Sequence, residues 1–214
     1  MYLEYGTRET DYLKSRDKQL GRAIDRIGYV YRAADPDLFS AVVRHIIGQQ
    51  ISTAAQATLW NRLTGRLGTV DADGLLVLGR EELQAVGMSF RKADYILDFA
   101  RRVREGSFRP DELWSLSDEQ AVEALTALKG VGVWTAEMIL IFCMGRPNVV
   151  SYGDLAILRG MRMLYRHREI DRARFQRYRR RYTPYGTVAS LYLWAVAGGA
   201  LPELTDPVQR GRKT

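Results

Sequence analysis

The sequence predicts an all-α fold, on three observations. Apolar residues recur at three- and four-residue spacing along nearly all of the 214-residue chain. Many of the segments so marked open on Ser or Asp and close on Gly, the residue types that satisfy the unpaired backbone groups at helix ends. No run alternates apolar and polar residues for long enough to form a sheet strand, and Asn148-Val149-Val150 is too short to count.

The elements follow in order. Residues 11–28, DYLKSRDKQLGRAIDRIG, read as one helix. Asp35 reads as an N-cap, with Pro36 at the first helical position of a helix that ends at Gly48. Ser52 caps residues 53–65, and residues 71–79 and 80–87 form two short helices, each closed by a glycine. Ser89 opens residues 90–106, where Ile96, Phe99, Ala100 and Val103 make an apolar stripe. Residues 109–116 form a short turn or helix, and Ser117 with Gln120 fits a capping box for residues 118–130. Residues 134–145, WTAEMILIFCMG, are apolar on most sides and predict a buried helix. Helices resume over 154–167, 171–182 and 185–199, and the polar tail 206–214 is expected to fray.

The length allows one large domain or two small ones. A net charge of +7 and a pI near 9.6 favour polyanionic partners. Arginines interleaved with Tyr and Phe cluster in residues 91–106 and 171–186, although charge alone fits a solvated helix face equally well. A single cysteine, Cys143, excludes an internal disulfide and any four-cysteine zinc or iron–sulfur site. His45 and His167 lack metal-ligand spacing. The apolar run MILIFCM is far too short to span a bilayer, and the mixed-charge N-terminus lacks the apolar core of a signal peptide. These features predict an intracellular, cytoplasmic protein.

The stretch LKGVGVWTAEM, residues 128–138, breaks the helical pattern with two glycines. Gly130 sits where a helix needs a left-handed C-terminal residue, and Gly132 lets the backbone come close to something bulky. With Val131 anchoring the turn, the amides of Gly130, Gly132 and Val133 can point outward just before a helix N-terminus, a natural nest for a phosphate diester. A tight helix–helix turn that binds nothing would use the same Gly130. Downstream, Asp154 stands at the start of the next helix, where Asp is a good N-cap. An aromatic set of Phe39, Trp60, Tyr95, Tyr152 and Trp194 offers candidates for an aromatic pocket, though most aromatics at helical spacing are core. The segment RRRYTPYGTV offers either a second phosphate-contacting helix start or a plain turn.

Residues 128–160, LKGVGVWTAEMILIFCMGRPNVVSYGDLAILRG, resemble the signature of the helix-hairpin-helix DNA glycosylases, and are most similar to the 3-methyladenine DNA glycosylase II branch. The resemblance covers about residues 35–200. It implies a two-lobed all-α fold with the active-site cleft between the lobes. Residues 35–147 would form a central bundle ending in the hairpin, and residues 1–34 with 148–214 the second lobe. It implies a base-excision repair enzyme that flips an alkylated purine, of the 3-methyladenine or 7-methylguanine type, out of double-stranded DNA and hydrolyses its N-glycosidic bond.

The same resemblance assigns residues. Asp154 matches the catalytic aspartate, whose carboxylate would stabilise the oxocarbenium-like sugar and orient water. Lys129, Gly130, Val131, Gly132, Val133 and Thr135 match the DNA-binding hairpin. Members that also cut the backbone carry a lysine two residues after the second glycine; here that position is Trp134, which implies a monofunctional enzyme. Trp134 and Tyr152 would contact the base, with a cationic ring over an indole gaining of order 0.5–2 kcal/mol. For Trp134 the alternative is core packing. Gln50, with Ile51 beside it, matches the wedge that fills the hole left by the flipped base; the alternative for Gln50 is a polar loop residue capping the helix after Ser52. No cofactor and no catalytic metal are implied, although hairpins of this family often hold a structural monovalent cation on backbone carbonyls. The implied partner is damaged duplex DNA, with no membrane and a monomeric enzyme. A non-catalytic helix-hairpin-helix DNA-binding module and a bifunctional lyase of the same fold are the competing readings.

Overall fold

Helix starts in the computed structural model, which describes residues 1–208, follow the caps the sequence carries. The helices are α1 (Thr7–Arg16), α2 (Lys18–Ile27), α3 (Leu38–Gly48), α4 (Thr53–Leu67), α5 (Ala72–Ala85), α6 (Phe90–Arg104), α7 (Asp118–Thr126), α8 (Val133–Phe142), α9 (Leu155–Tyr165), α10 (Arg172–Tyr182) and α11 (Gly186–Ala197), with a 3-10 segment at Pro110–Ser115. Asp17, Asp37, Ser52, Asp71, Ser89, Ser117, Asp154 and Asp171 each accept hydrogen bonds from first-turn amides of the helix that follows. Ser117 and Gln120 form the expected capping box. The two short helices expected over 71–87 meet at a kink at Gly79 within α5. Among the described residues the only β feature is a single bridge between Tyr2 and Ala33.

Three expectations need correction. The N-terminal helix is two helices, because Asp17 leaves helical geometry to cap α2 and its Oδ2 accepts from Arg181 Nη1 at 3.0 Å. The helix expected to start after Asp35 starts two residues later, because Asp37 caps it. Asp35 is engaged elsewhere, with its amide on the Phe142 carbonyl and its carboxylate on Arg44. The tail does not fray at its start. Asp206 is buried and takes a two-point contact from Arg162, Nε to Oδ1 at 3.0 Å and Nη2 to Oδ2 at 2.5 Å. Residues 209–214 lie outside the described residues.

The chain forms two units, one from residues 35–144 and the other from residues 1–34 and 145–214. The second crossing falls between Met144 and Gly145. In the first unit, α3–α8 bury Val42, Ile46, Leu63, Leu75, Leu83, Ile96, Phe99, Leu125 and Ile139. In the second, α1, α2 and α9–α11 surround a core that includes Leu13, Leu20, Ile157, Met161, Phe175, Tyr182 and Leu193. Each such side chain contributes roughly 1.5–3 kcal/mol through burial. Helix α8, apolar all round as expected, buries Thr135, Ala136, Met138, Ile139, Leu140 and Ile141. Helices α9 and α11 touch at Gly160, where a β-carbon would stand 2.2 Å from the Leu193 carbonyl oxygen. Among the described residues no helix is long and apolar enough to cross a membrane.

Candidate DNA-processing site

The hairpin between α7 and α8 is built by two opposite demands. Leu128 and Val131 are buried and fix the turn from inside. Gly130 has φ +83°, and the Tyr95 ring lies where its β-carbon would be. Gly132 is the N-cap of α8 with φ −91°, and nothing within the protein comes within 4 Å of its missing β-carbon. No internal contact therefore requires glycine at 132, and an approaching ligand would meet bare backbone there. Val133 and Trp134 are exposed to 57% and 44%, so the α8 N-terminus with its positive dipole end is accessible.

The flanking hairpin residues differ in availability. The Lys129 ammonium is held by Asp98 Oδ1 at 2.7 Å, and this bond keeps the Asp98 carboxyl below its ordinary pKa. Thr135 is buried and lines the cavity beside the hairpin. For Trp134, core packing is excluded by its exposure.

A cavity of about 440 Å³ opens beside the hairpin, lined by Gln49, Gln50, Arg91, Lys92, Tyr95 and Trp134. Arg91 Nε donates to Tyr95 Oη at 2.6 Å, which gives this wall a cationic and aromatic character. Gln50 follows the end of α3 with φ +58° and an exposed side chain, and Ile51 is 37% exposed. Ser52 itself accepts the Ala55 amide at 3.2 Å, so Gln50 is not the cap of α4. Gln49, Arg91 and Lys92 were not singled out from sequence. Lys92 could have been, since it stands four residues before Ile96 and seven before Phe99 on the buried stripe of α6.

In the other unit, Asp154 is the N-cap of α9. Its Oδ1 accepts from the Ala156 and Ile157 amides, both at 2.9 Å, and the residue is buried. Leu155, next to it, is 81% exposed. Tyr152 packs edge-on against Phe175 with ring centroids 5.0 Å apart, while the Arg172 guanidinium sits 4.9 Å from its ring centre. Its ring is thus oriented by its own unit. The other aromatics are more committed: Phe39 stacks on Phe99, Trp60 takes Arg44, and Trp194 packs on the unit's core. The start of α11 is not a phosphate site, because the 146–148 loop fills it. Thr187 donates its amide to the Pro147 carbonyl and its hydroxyl to the Arg146 carbonyl, and the Gly186 amide reaches Asn148 Oδ1. Among the described residues no group of three or more His, Cys, Asp or Glu side chains is placed to hold a metal.

The family model of the HhH-GPD superfamily base excision DNA repair proteins matches residues 43–184, which contain the α3–α4 loop, the hairpin and Asp154. The chain belongs to the HhH-GPD superfamily. This superfamily member is 30% identical over 178 residues to DNA-3-methyladenine glycosylase 1 of Schizosaccharomyces pombe, covering 80% of this chain and 76% of the relative. Its fold is similar to the crystal structure of a DNA-3-methyladenine glycosidase from Bacillus halodurans, with TM-score 0.84, 32% identity, and 98% and 97% of the two chains covered. It is also similar to the S. pombe 3-methyladenine DNA glycosylase in complex with abasic DNA, with TM-score 0.80, 26% identity, and 93% and 100% covered. The chain spans between 57% and 76% of the length of the first curated relatives it matches.

Proposed function

We propose that this superfamily member is a monofunctional DNA glycosylase of base excision repair that hydrolyses the N-glycosidic bond of alkylated purines. The observation that carries the reading is the Asp154 carboxylate, pinned by two amides at the start of α9 in a chain whose hairpin presents Trp134 where a lyase would present lysine.

In the proposed reaction the C1′–N bond breaks and its electrons leave with the base. Positive charge on the sugar is stabilised by Asp154, and water then bonds to C1′ and gives up a proton. An N-alkylated purine is already cationic, so it departs neutral without a strong general acid. Trp134 offers an indole face to such a ring, and Tyr152, oriented by Phe175 and Arg172, offers a second aromatic contact. The bare backbone at Gly132 and the first-turn amides of α8 suit a DNA phosphate, with Val131 anchoring the turn from within and Lys129 beside it, its ammonium held on Asp98. Thr135 contributes through its backbone. Gln50 and Ile51, exposed at the tip of the α3–α4 loop, are the wedge.

No step is assigned to a cofactor or metal. A structural monovalent cation at the hairpin would share carbonyls that already accept protein bonds, Leu128 from the Val131 amide and Gly130 from Gln49. The enzyme acts as a monomer on duplex DNA, in the cytoplasm.

Chromatography of bases freed from methylated duplex DNA tests activity and specificity together. Release of 3-methyladenine or 7-methylguanine is expected, with no borohydride-trapped protein–DNA adduct. Asp154→Asn should bind an abasic analogue yet release no base. A wild-type chain that binds DNA and frees nothing would reduce the protein to a binding module, and a trapped adduct would make it a lyase.

A further inference from the structure

The α3–α4 loop has no regular structure of its own, yet side chains from distant elements fix its base. Lys92, in the first turn of α6, sends its ammonium to the carbonyls of Ile47 at 2.8 Å and Gln49 at 2.7 Å. These are acceptors at the C-terminal end of α3, where a helix leaves carbonyls unpaired and favours a cation. A lysine on an arginine-rich helix would ordinarily extend into water. This one gives up part of its hydration, and burial lowers its pKa accordingly.

Gln49 then reaches the other way. Its Nε2 donates to the Gly130 carbonyl at 2.5 Å, across eighty-one positions of sequence. On the far side of the loop, Gln56 Nε2 donates to the Arg44 carbonyl at 2.7 Å and tethers α4 back to α3. On this base stands Gln50, a non-glycine residue in the left-handed region, with Ile51 beside it. Such a backbone conformation persists only where its surroundings dictate it. The tip is exposed while its foundation is hydrogen-bonded, and one of those bonds ends on the hairpin itself.

We infer that Lys92 and Gln49 are positioning residues that lock the Gln50–Ile51 tip in register with the Gly130–Gly132 hairpin. Seating of a DNA phosphate on the hairpin then brings the tip to a fixed place on the duplex, so backbone binding and insertion occur together. This rests on the glycosylase reading and on Gln50 and Ile51 being the wedge.

Lys92→Met keeps the aliphatic stem and removes both donors. In the free protein, amide hydrogen exchange over residues 49–52 should quicken at least tenfold. Affinity for undamaged duplex should fall by a smaller factor than base release does, since the α8 amides are untouched. The fluorescence rise of 2-aminopurine placed beside the lesion should fall, and single-turnover base release should slow tenfold or more. Lys92→Arg, which can still donate to both carbonyls, should recover most of the signal and rate. Gln49→Met should reproduce the defect, and it carries the test if Lys92→Met does not fold. Wild-type exchange over 49–52 in the variants, or wild-type base release despite a loosened loop, overturns the inference. If the unaltered chain releases no base, the glycosylase reading falls instead, and the exchange rates still decide whether Lys92 holds the loop.

Discussion

The ring of Tyr95 occupies the place a β-carbon on residue 130 would take, with Cδ2 only 2.3 Å from that point. The clash is with the body of the ring rather than a flexible tip, and Gly130 also holds φ +83°. Gly130→Ala should therefore cost about 2–4 kcal/mol, from left-handed strain plus overpacking. Gly132→Ala should cost about 1 kcal/mol or less, because space around it is open and the loss is that of a fair N-cap. Its effect should fall on DNA affinity instead. Urea denaturation and duplex titration of the two variants separate these outcomes; equal stability losses would contradict the division of labour between the glycines.

At Asp154 the cap and the proposed catalytic role can be pulled apart. Asn caps a helix about as well as Asp, whereas Ala does not. Asp154→Asn should stay within about 0.5 kcal/mol of wild type and Asp154→Ala should lose about 0.5–2 kcal/mol, with base release abolished in both. Activity that tracked stability, surviving in Asn and failing in Ala, would make the residue a cap and nothing more.

His45, largely buried beside Arg44 on α3, has its pKa lowered to about 4, by burial first and by the Arg44 charge second. The folded-state value lies below the unfolded one, so the unfolded chain takes up the proton first as pH falls. Stability from neutral His45 is full above about pH 6.5 and drains away between there and pH 4, amounting to about 2–3 kcal/mol. Denaturation midpoints at pH 7.5, 5.5 and 4 should show this fall, and His45→Gln should flatten it. An unchanged slope in His45→Gln would place the acid sensitivity elsewhere.

Asp206 contributes in a lower window. The Arg162 hydrogen bond, ahead of all other causes, holds its carboxyl below the ordinary value. That stability is present above about pH 4 and is lost only as pH falls through the depressed folded value. At neutral pH, Asp206→Asn should cost about 2–3 kcal/mol, since it leaves a partly buried guanidinium facing a neutral amide. A loss under 0.5 kcal/mol in thermal melts would mean the C-terminal segment is held by other contacts.

Cys143 is buried with its thiol pushed up to about 12, by burial first and then by Asp35 and Asp37. Native protein should react with iodoacetamide many times more slowly than the urea-unfolded chain, as mass spectrometry would record.

Much of this architecture was legible because it is local. Ser52, Asp71, Ser89, Ser117, Asp154 and Asp171 announce helix starts through bonds to amides two or three residues away. The Gly-Val-Gly hairpin and the all-apolar α8 are likewise written in a few consecutive positions. What escaped reading depends on partners far along the chain. Asp17 splits the first helix with the help of Arg181, and Asp206 is fastened by Arg162. Lys92 stands on an arginine-rich helix, and the carbonyls it serves, those of Ile47 and Gln49, lie at the end of α3 and just past it. The start of α11 read equally as an anion site or a plain turn, and the 146–148 loop that fills it is distant in sequence.

The missing β-carbon at Gly160 has a consequence for the far end of its helix. Asp154 lies six residues upstream, about 9 Å along the axis at 1.5 Å per residue. With Gly160 pressed on the Leu193 carbonyl as a fulcrum, even a ~10° tilt forced by a methyl group would swing the carboxylate by roughly 1.6 Å, on that lever arm. A displacement of ~1 Å is enough to spoil a reacting geometry. The direction of the Asp154 carboxylate is thus set at the crossing of α9 and α11, six residues away.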